Sequence, residues 1–202
     1  MVSYSGINYA VNLKRMDSLI THFDYNKPED TLPAFASLQP VLKTNPYYLT
    51  AYANLLSLSK DYGLAIENLS AALSYQSSYS IIIELGRQYE QSGDEVSALA
   101  HWALAHRMIP ARFEPLYLQI ACYHRSGNYH KADSLTTLFL KKERKWGTIR
   151  IDRMLKDVKQ WQQNRLETNS SPFERSLMLK NQSMCLFRLR NKWGQGDVEF
   201  PL

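Results

Sequence analysis

Apolar side chains recur along most of this chain at the three- and four-residue spacings that place them on one face of an α-helix. The clearest stripe follows Thr148 and consists of Ile151, Met154, Leu155, Val158 and Trp161. The chain contains only 8 Gly and 8 Pro against 13 Tyr and 4 Trp. That balance favours packed helices over a turn-rich β-sandwich. The pattern therefore predicts an all-α protein.

A repeat of about 34 residues organises the predicted helices. One copy starts at Ile82 and continues with the residues of the tetratricopeptide pattern, namely Leu85, Gly86, Tyr89, Ala98, Trp102, Ala105 and Pro110. Gly86 and Ala98 are small because the two helices of a hairpin cross there, so a large side chain at either position is expected to disrupt packing. Tyr89 and Trp102 are large because they fill the space between one hairpin and the next.

The small residue of the second helix recurs through the chain as Ala34, Ala65, Ala98 and Ala132, with spacings of 31, 33 and 34 residues. Because one hairpin cannot bury its apolar face alone, we predict a right-handed α-solenoid of tetratricopeptide-type hairpins. The predicted organisation is a weak first repeat at 1–46, three helical-hairpin repeats at 47–147, and a capping helix at 148–164. Residues 165–202 are predicted to form a linker, an additional helix after Pro172 and a tail.

Capping residues set the predicted helix boundaries. Asn45–Pro46 has the form of an N-cap followed by proline in the first turn, and Glu114–Pro115 resembles it. The sequence Ser92-Gly93-Asp94 is typical of a turn that ends one helix and caps the next. Thr148 is expected to cap the capping helix, and the polar stretch Asn164–Ser171 predicts the linker.

The net charge of +5 is unevenly distributed. Residues 1–100 contain 6 Lys or Arg against 10 Asp or Glu, and residues 101–202 contain 18 against 9. The basic segment from Lys141 to Lys159 is interrupted by Asp152 and Asp157. Such a segment can contact nucleic acid or anionic lipid, but a solvated helix face is the favoured interpretation. We expect no nucleic-acid partner.

The sequence contains no arrangement of residues that predicts catalysis. His101 and His106 are five positions apart and lie on different helix faces, so they do not form a helical metal pair. Cys122 and Cys185 belong to no Cys/His cluster. Phosphate-binding loops and nucleophile elbows are absent. We predict a non-catalytic chain without metal or cofactor.

Repeat arrays of this type usually bind ligands on the concave face formed by the first helix of each hairpin. Projecting the repeat onto that face selects Asn54, Ser57, Arg87, Glu90, Tyr117, His124 and Arg125 as peptide-groove candidates. The set contains no series of Lys and Asn that would clamp a terminal carboxylate, which argues against an adaptor for chaperone tails. A protein or peptide partner is expected.

The segment from Leu85 to Trp161 has a narrower resemblance. Its Met108-Ile109-Pro110 and Arg112-Phe113-x-Pro115 elements are similar to the C-terminal tetratricopeptide-repeat region of Bacteroidetes O-antigen ligase/polymerase-like membrane proteins. In that family soluble repeats follow a polytopic membrane portion, in which the glycan-transfer chemistry resides.

The resemblance implies that this chain is the soluble part of an inner-membrane glycan-assembly protein and docks onto its own membrane domain. It carries over no catalytic residue, and it implies membrane association only through segments absent from this chain. The alternative is a free-standing bacterial tetratricopeptide adaptor that binds a peptide in its concave groove.

Overall fold

The structure, a computed structural model, describes residues 4–24, 27–143 and 147–169. The regular elements in these ranges are ten α-helices: α1 (Tyr4–Thr21), α2 (Pro28–Ala36), α3 (Gln39–Leu42), α4 (Pro46–Leu58), α5 (Tyr62–Tyr75), α6 (Tyr79–Gln91), α7 (Glu95–Met108), α8 (Glu114–Arg125), α9 (Tyr129–Leu140) and α10 (Ile149–Asn169). Helices α1 to α9 belong to one compact unit, Met1–Arg144, and α10 belongs to a second. The additional helix predicted after Pro172 lies outside the described residues.

Three consecutive hairpins, α4–α5, α6–α7 and α8–α9, make up most of the first unit. Each hairpin closes with a three-residue turn whose middle residue has a positive φ: +64° at Lys60, +89° at Gly93 and +72° at Gly127. Glycine adopts a positive φ without strain, which explains why glycine is the middle residue in two of the three turns. In the first two hairpins the side chain of the last turn residue caps the next helix, as predicted for Asp94, whose carboxylate accepts a 3.0 Å bond from the Ser97 N–H. Asp61 caps α5 in the same way.

The first repeat departs from this pattern because its second helix is broken. Helix α1 packs against α2 and α3, two short helices that together replace one. Pro40 has no N–H to donate, so it cannot extend α2 and instead starts α3. Phe35 and Leu38 are buried here, whereas Ala34, which the repeat register predicts at a helix crossing, is only half-buried.

Close helix crossing explains the small residues of the other repeats. Ala65 and Ala98 are fully buried and Ala132 nearly so. Gly86 faces the indole ring of Trp102, which is fully buried and donates a 3.3 Å hydrogen bond to the Ile83 carbonyl.

Tyr89 connects the two halves of the first unit. Its half-buried ring packs against both hydrophobic clusters of that unit, one centred on α1 to α5 and the other on α6 to α8. It also stacks on the His101 ring, at 5.0 Å between centroids.

The start of α8 differs from the predicted cap. Helix α8 begins at Glu114 itself, Pro115 lies in its first turn, and Phe113 occupies the N-cap position without a side-chain hydrogen bond. The Glu114 carboxylate instead accepts a 2.8 Å bond from Arg87. The comparison with Asn45–Pro46 was therefore wrong for this helix, because an ion pair with α6 engages the carboxylate.

Helix α10 starts where the sequence predicts and ends later. The Thr148 hydroxyl accepts a 3.3 Å bond from the Ile151 N–H, as expected of a cap. Of the described side chains of this helix, Met154 and Val158 are buried, and both belong to the predicted apolar stripe. The predicted linker at Asn164–Ser171 was wrong as far as Asn169, because this polar stretch has no Gly or Pro and is helical.

We expect Tyr48→Phe to lower the free energy of unfolding by about 1 kcal/mol. The buried Tyr48 hydroxyl donates a 2.9 Å hydrogen bond to the Phe35 carbonyl, which ties α4 to α2. Urea denaturation followed by far-UV circular dichroism measures the change. The matched control is Tyr47→Phe, at a 57% exposed neighbour, where the change should stay below about 0.5 kcal/mol. Equal effects of the two substitutions would contradict the role assigned to this bond.

Candidate functional site

The first helices of the repeats, α1, α4, α6 and α8, form the surface that we call the first-helix face. An open apolar cavity of about 260 Å³ lies on this face between α1 and α4. Its lining consists of Ile20, Phe23, Phe35, Tyr47, Thr50, Ala51, Asn54, Leu55 and Leu58. Seven of these nine side chains are apolar or aromatic, as in most sites that bind small apolar groups.

Three features of the sequence produce this cavity. The broken second helix of the first repeat brings Phe35 under α4, where its ring stacks on Tyr48 at 6.1 Å between centroids. Ala51, the smallest residue of the lining, contributes only a methyl group and so fills little of the space. Tyr47 and Leu58, at the two ends of α4, are 57% and 47% exposed and present apolar surface to a ligand.

A polar hollow of about 250 Å³ continues the first-helix face beyond α4. Its lining consists of Ser57, Tyr62, Glu84, Arg87, Gln88, Glu90 and Gln91. Arg87 forms ion pairs with Glu114 at 2.8 Å and with Glu84 at 3.6 Å. Glu90 pairs with Arg125 of α8. These pairs link α6 to α8 and place both signs of charge beside an apolar cavity.

The predicted groove residues divide between these environments. Asn54 lines the apolar cavity, whereas Ser57, Arg87 and Glu90 line the polar hollow. Arg125 is exposed and contributes the partner of Glu90. The structure thus brings most of the candidates to neighbouring parts of one face.

The other two predicted groove residues, Tyr117 and His124, are half-buried and make packing contacts. Tyr117 is half-buried and packs against the hydrophobic cluster of α6 to α8. The His124 ring meets the Tyr129 ring edge-on at 5.3 Å between centroids.

The sequence did not reveal most of the cavity. Ile20 and Phe23 were missed because the weak first repeat offered no register for projecting α1 onto the face. Thr50 and Ala51 of α4 were missed because only Asn54 and Ser57 were projected from that helix. One feature of α4 could have identified the site. Its outward side carries three apolar residues, Tyr47, Ala51 and Leu58, each of which is three or four positions from Thr50 or Asn54.

Burial and helix-capping hydrogen bonds shift the pKa values of several groups in the first unit. Burial raises the pKa of Cys122 to about 11, so this thiol is protonated at neutral pH and is a poor nucleophile. Burial and the nearby Lys142 lower the pKa of His106. The hydrogen bonds from Ser97 lower the pKa of Asp94. Among the described residues, no three His, Cys, Asp or Glu side chains come together as a metal site requires.

Comparison with known proteins finds similarity at the level of structure. The chain matches no family model, and no curated protein matches it significantly. A crystal structure of the MamA protein is similar, with a TM-score of 0.61, at 15% identity over 70% of this chain and 79% of that one. A MamA RS-1 double mutant gives 0.57 at 13% identity, covering 82% and 98% of the two chains. PilF from Pseudomonas aeruginosa gives 0.50 at 16% identity, covering 82% and 78%.

These neighbours are tetratricopeptide-type helical-repeat proteins, which confirms the predicted fold class. Identities of this size establish the fold and leave function to be argued from the site. None of the described helices is both long and apolar enough to cross a membrane.

Proposed function

We propose that this chain is a non-catalytic scaffold that binds a peptide segment of a partner protein on its first-helix face. The observation that carries the proposal is the open apolar cavity between α1 and α4. Monomeric proteins seldom leave grouped apolar side chains open to water unless a ligand covers them. An apolar side chain of the partner fits the cavity chemically, and no described group on this face is arranged to react with it.

The polar hollow beside the cavity supplies the second part of the binding site. A peptide that extends from the cavity across α4 reaches Arg87 and Glu90, whose charged groups can bond to its main chain or polar side chains. The expected partner therefore carries one buried apolar anchor followed by polar residues. Anchors of this kind dominate the binding energy of most interfaces.

The wider context follows from the sequence resemblance. We propose that the chain is the soluble C-terminal part of an inner-membrane O-antigen ligase/polymerase-like protein, with its own membrane domain as the partner. The Met108-Ile109-Pro110 and Arg112-Phe113-x-Pro115 elements support this. The alternative is a free-standing bacterial adaptor, which fits the structural neighbours at least as well, since these are tetratricopeptide-type repeat proteins. The genomic reading frame separates the two: membrane-spanning segments encoded in frame upstream of Met1 would support the first, and their absence would support the adaptor.

A random-peptide display screen against the full chain tests the binding function. We expect enriched peptides to share one Leu, Ile, Phe or Trp anchor, and individual peptides to bind with micromolar dissociation constants, about −8 kcal/mol. Isothermal titration calorimetry of the best peptide, and of the same peptide with its anchor changed to Ser, gives the contribution of the anchor. If no peptide is enriched, or if the Ser peptide binds equally well, the proposal fails.

A further inference from the structure

The two ends of the helical hairpins carry opposite charge. Apart from α2 and α3, which together replace one helix, consecutive helices of the first unit run antiparallel. The turns inside the hairpins therefore lie at one edge and the connections between hairpins lie at the other. We call the first of these the turn edge and the second the connection edge. Each includes the adjoining helix ends.

The connection edge is basic. Among its described residues are five cationic side chains: Lys43, Arg107, Arg112, Lys141 and Lys142. Its carboxylates in the same ranges are Glu143 and Glu114, and the second of these is already bound by Arg87.

The turn edge is acidic. Its described residues include seven carboxylates, in Asp24, Glu29, Asp30, Asp61, Asp94, Glu95 and Asp133. Against these stand three lysines, Lys27, Lys60 and Lys131, together with the Glu90–Arg125 ion pair. The electrostatic field is therefore positive at the connection edge and negative at the turn edge.

Helix capping accounts for most of the acids at the turn edge, but it does not explain why the connection edge has so few. Helix N-termini occur at both edges, and each favours a negative side chain. At the turn edge the chain uses Asp61 and Asp94 as caps. At the connection edge the corresponding N-cap positions hold the uncharged Asn45 and Ser78. The connection edge thus carries few acids where the helix dipoles would favour them.

The cations of the connection edge lie among aromatic and apolar side chains. The Arg112 guanidinium lies 5.2 Å from the centre of the Tyr79 ring, and the Lys142 ammonium lies 5.2 Å from that of Phe113. Lys142 also donates a 2.6 Å hydrogen bond to the Arg112 carbonyl. These contacts hold two of the five charges in place.

Exposed apolar groups accompany the charges. Tyr47, Tyr75 and Met108, all at helix ends of the connection edge, are between 41% and 57% exposed. Exposed apolar residues occur at the turn edge too, but there they lie among carboxylates. Cations combined with tyrosine and other apolar side chains are the composition that binds the interface of an anionic bilayer.

We propose that the connection edge binds the surface of a membrane containing anionic phospholipids, with Lys43, Arg107 and Lys141 facing the headgroups. Duplex nucleic acid fits this edge less well, because a phosphate backbone offers no apolar region into which the exposed Tyr75 and Met108 could insert. The proposal does not depend on peptide binding at the first-helix face, although Tyr47 lines the apolar cavity of that face and Glu90 lines its polar hollow.

Vesicle sedimentation with the full chain tests this directly. Phosphatidylcholine vesicles containing about one third phosphatidylserine are compared with pure phosphatidylcholine at physiological salt. Each cation near the surface strengthens partitioning by about fivefold, so loss of three cations alone weakens binding by about 100-fold. The triple variant Lys43→Glu/Arg107→Glu/Lys141→Glu also introduces three anions and should bind at least about 100-fold more weakly. The matched control Lys27→Glu/Lys60→Glu/Lys131→Glu changes the net charge equally but at the turn edge, and it should lose less than about fivefold. Circular dichroism establishes that both variants are folded.

Several results would overturn the proposal. The first is equal binding to neutral and anionic vesicles by the wild-type chain, or no binding to either. The second is an equal loss in both triple variants, since net charge rather than one edge would then be responsible. The third is tighter binding to duplex DNA than to anionic vesicles, with the same dependence on the connection edge. The last is a wild-type oligomer, detected by sedimentation, that the connection-edge variant no longer forms although its vesicle binding is unchanged. The connection edge would then bind the turn edge of another copy.

Discussion

Replacing Gly86 with alanine is expected to lower the free energy of unfolding by about 2 kcal/mol, although alanine is the better helix former. A methyl group added to Gly86 would lie 2.3 Å from Nε1 of Trp102, and 2.6 and 2.8 Å from two further atoms of the same ring. The ring cannot retreat easily, since it is fully buried and donates its N–H to the Ile83 carbonyl. Helices α6 and α7 must therefore separate or the indole must leave its rotamer.

Gly63→Ala provides the matched control for this substitution. Gly63 also lies inside a helix, but a methyl group there would meet nothing closer than the Asp61 side chain at 4.0 Å. The same chemical change should therefore stabilise the protein by about 0.5 kcal/mol, because alanine restricts the unfolded chain. Urea denaturation monitored by far-UV circular dichroism gives both values. Stabilisation by both substitutions would show that the Gly86–Trp102 contact is not tight.

A double variant identifies the origin of the effect. Combining Gly86→Ala with Trp102→Leu removes the indole ring, whose Nε1, Cδ1 and Cε2 atoms make all three short contacts. We expect the combined loss of stability to be smaller than the sum of the two single losses. Strict additivity would mean that the added methyl acts through some other neighbour.

The parts of the fold that were predictable from the sequence are those in which one physical requirement permits few residue types. Gly86 is required because the indole ring of Trp102 leaves no room for a side chain, and Gly93 is required by its positive φ. Both glycines therefore identify the repeat in the sequence. The first repeat was harder, because Pro40 splits its second helix and the tetratricopeptide register no longer applies. The end of α10 was misplaced because polarity was taken to mean a loop, whereas a polar stretch without Gly or Pro is also a good exposed helix.

The candidate site was predictable only in part, for a related reason. Arg87 and Glu90 were found because the intact repeats place them on the first-helix face. The apolar cavity depends on Phe35 and on the end of α1, whose positions follow from the irregular first repeat. A pattern of repeats predicts the regular surface of the array well, and the irregular part of that surface holds the cavity.

The substitution with the largest expected effect on binding is Ala51→Phe. Ala51 has the smallest side chain of the residues that line the cavity, which an apolar anchor of the partner would occupy. A benzyl group at this position fills the space from within, so the anchor of the peptide has no site. Loss of one buried anchor weakens binding by about 2 kcal/mol, or roughly 30-fold in the dissociation constant. Calorimetry with the best peptide from the display screen measures the loss.

Stability must be separated from binding in this experiment. Because the cavity is open to solvent, the introduced benzyl group can be accommodated without displacing the core, and the unfolding midpoint should change little. The matched control is Ala100→Phe, which adds the same group at an exposed position of α7, outside the lining of the cavity. That variant should bind the peptide as the wild type does. A folded Ala51→Phe variant with unchanged affinity would show that the peptide binds elsewhere, whereas weakening in both variants would indicate a loss of the fold.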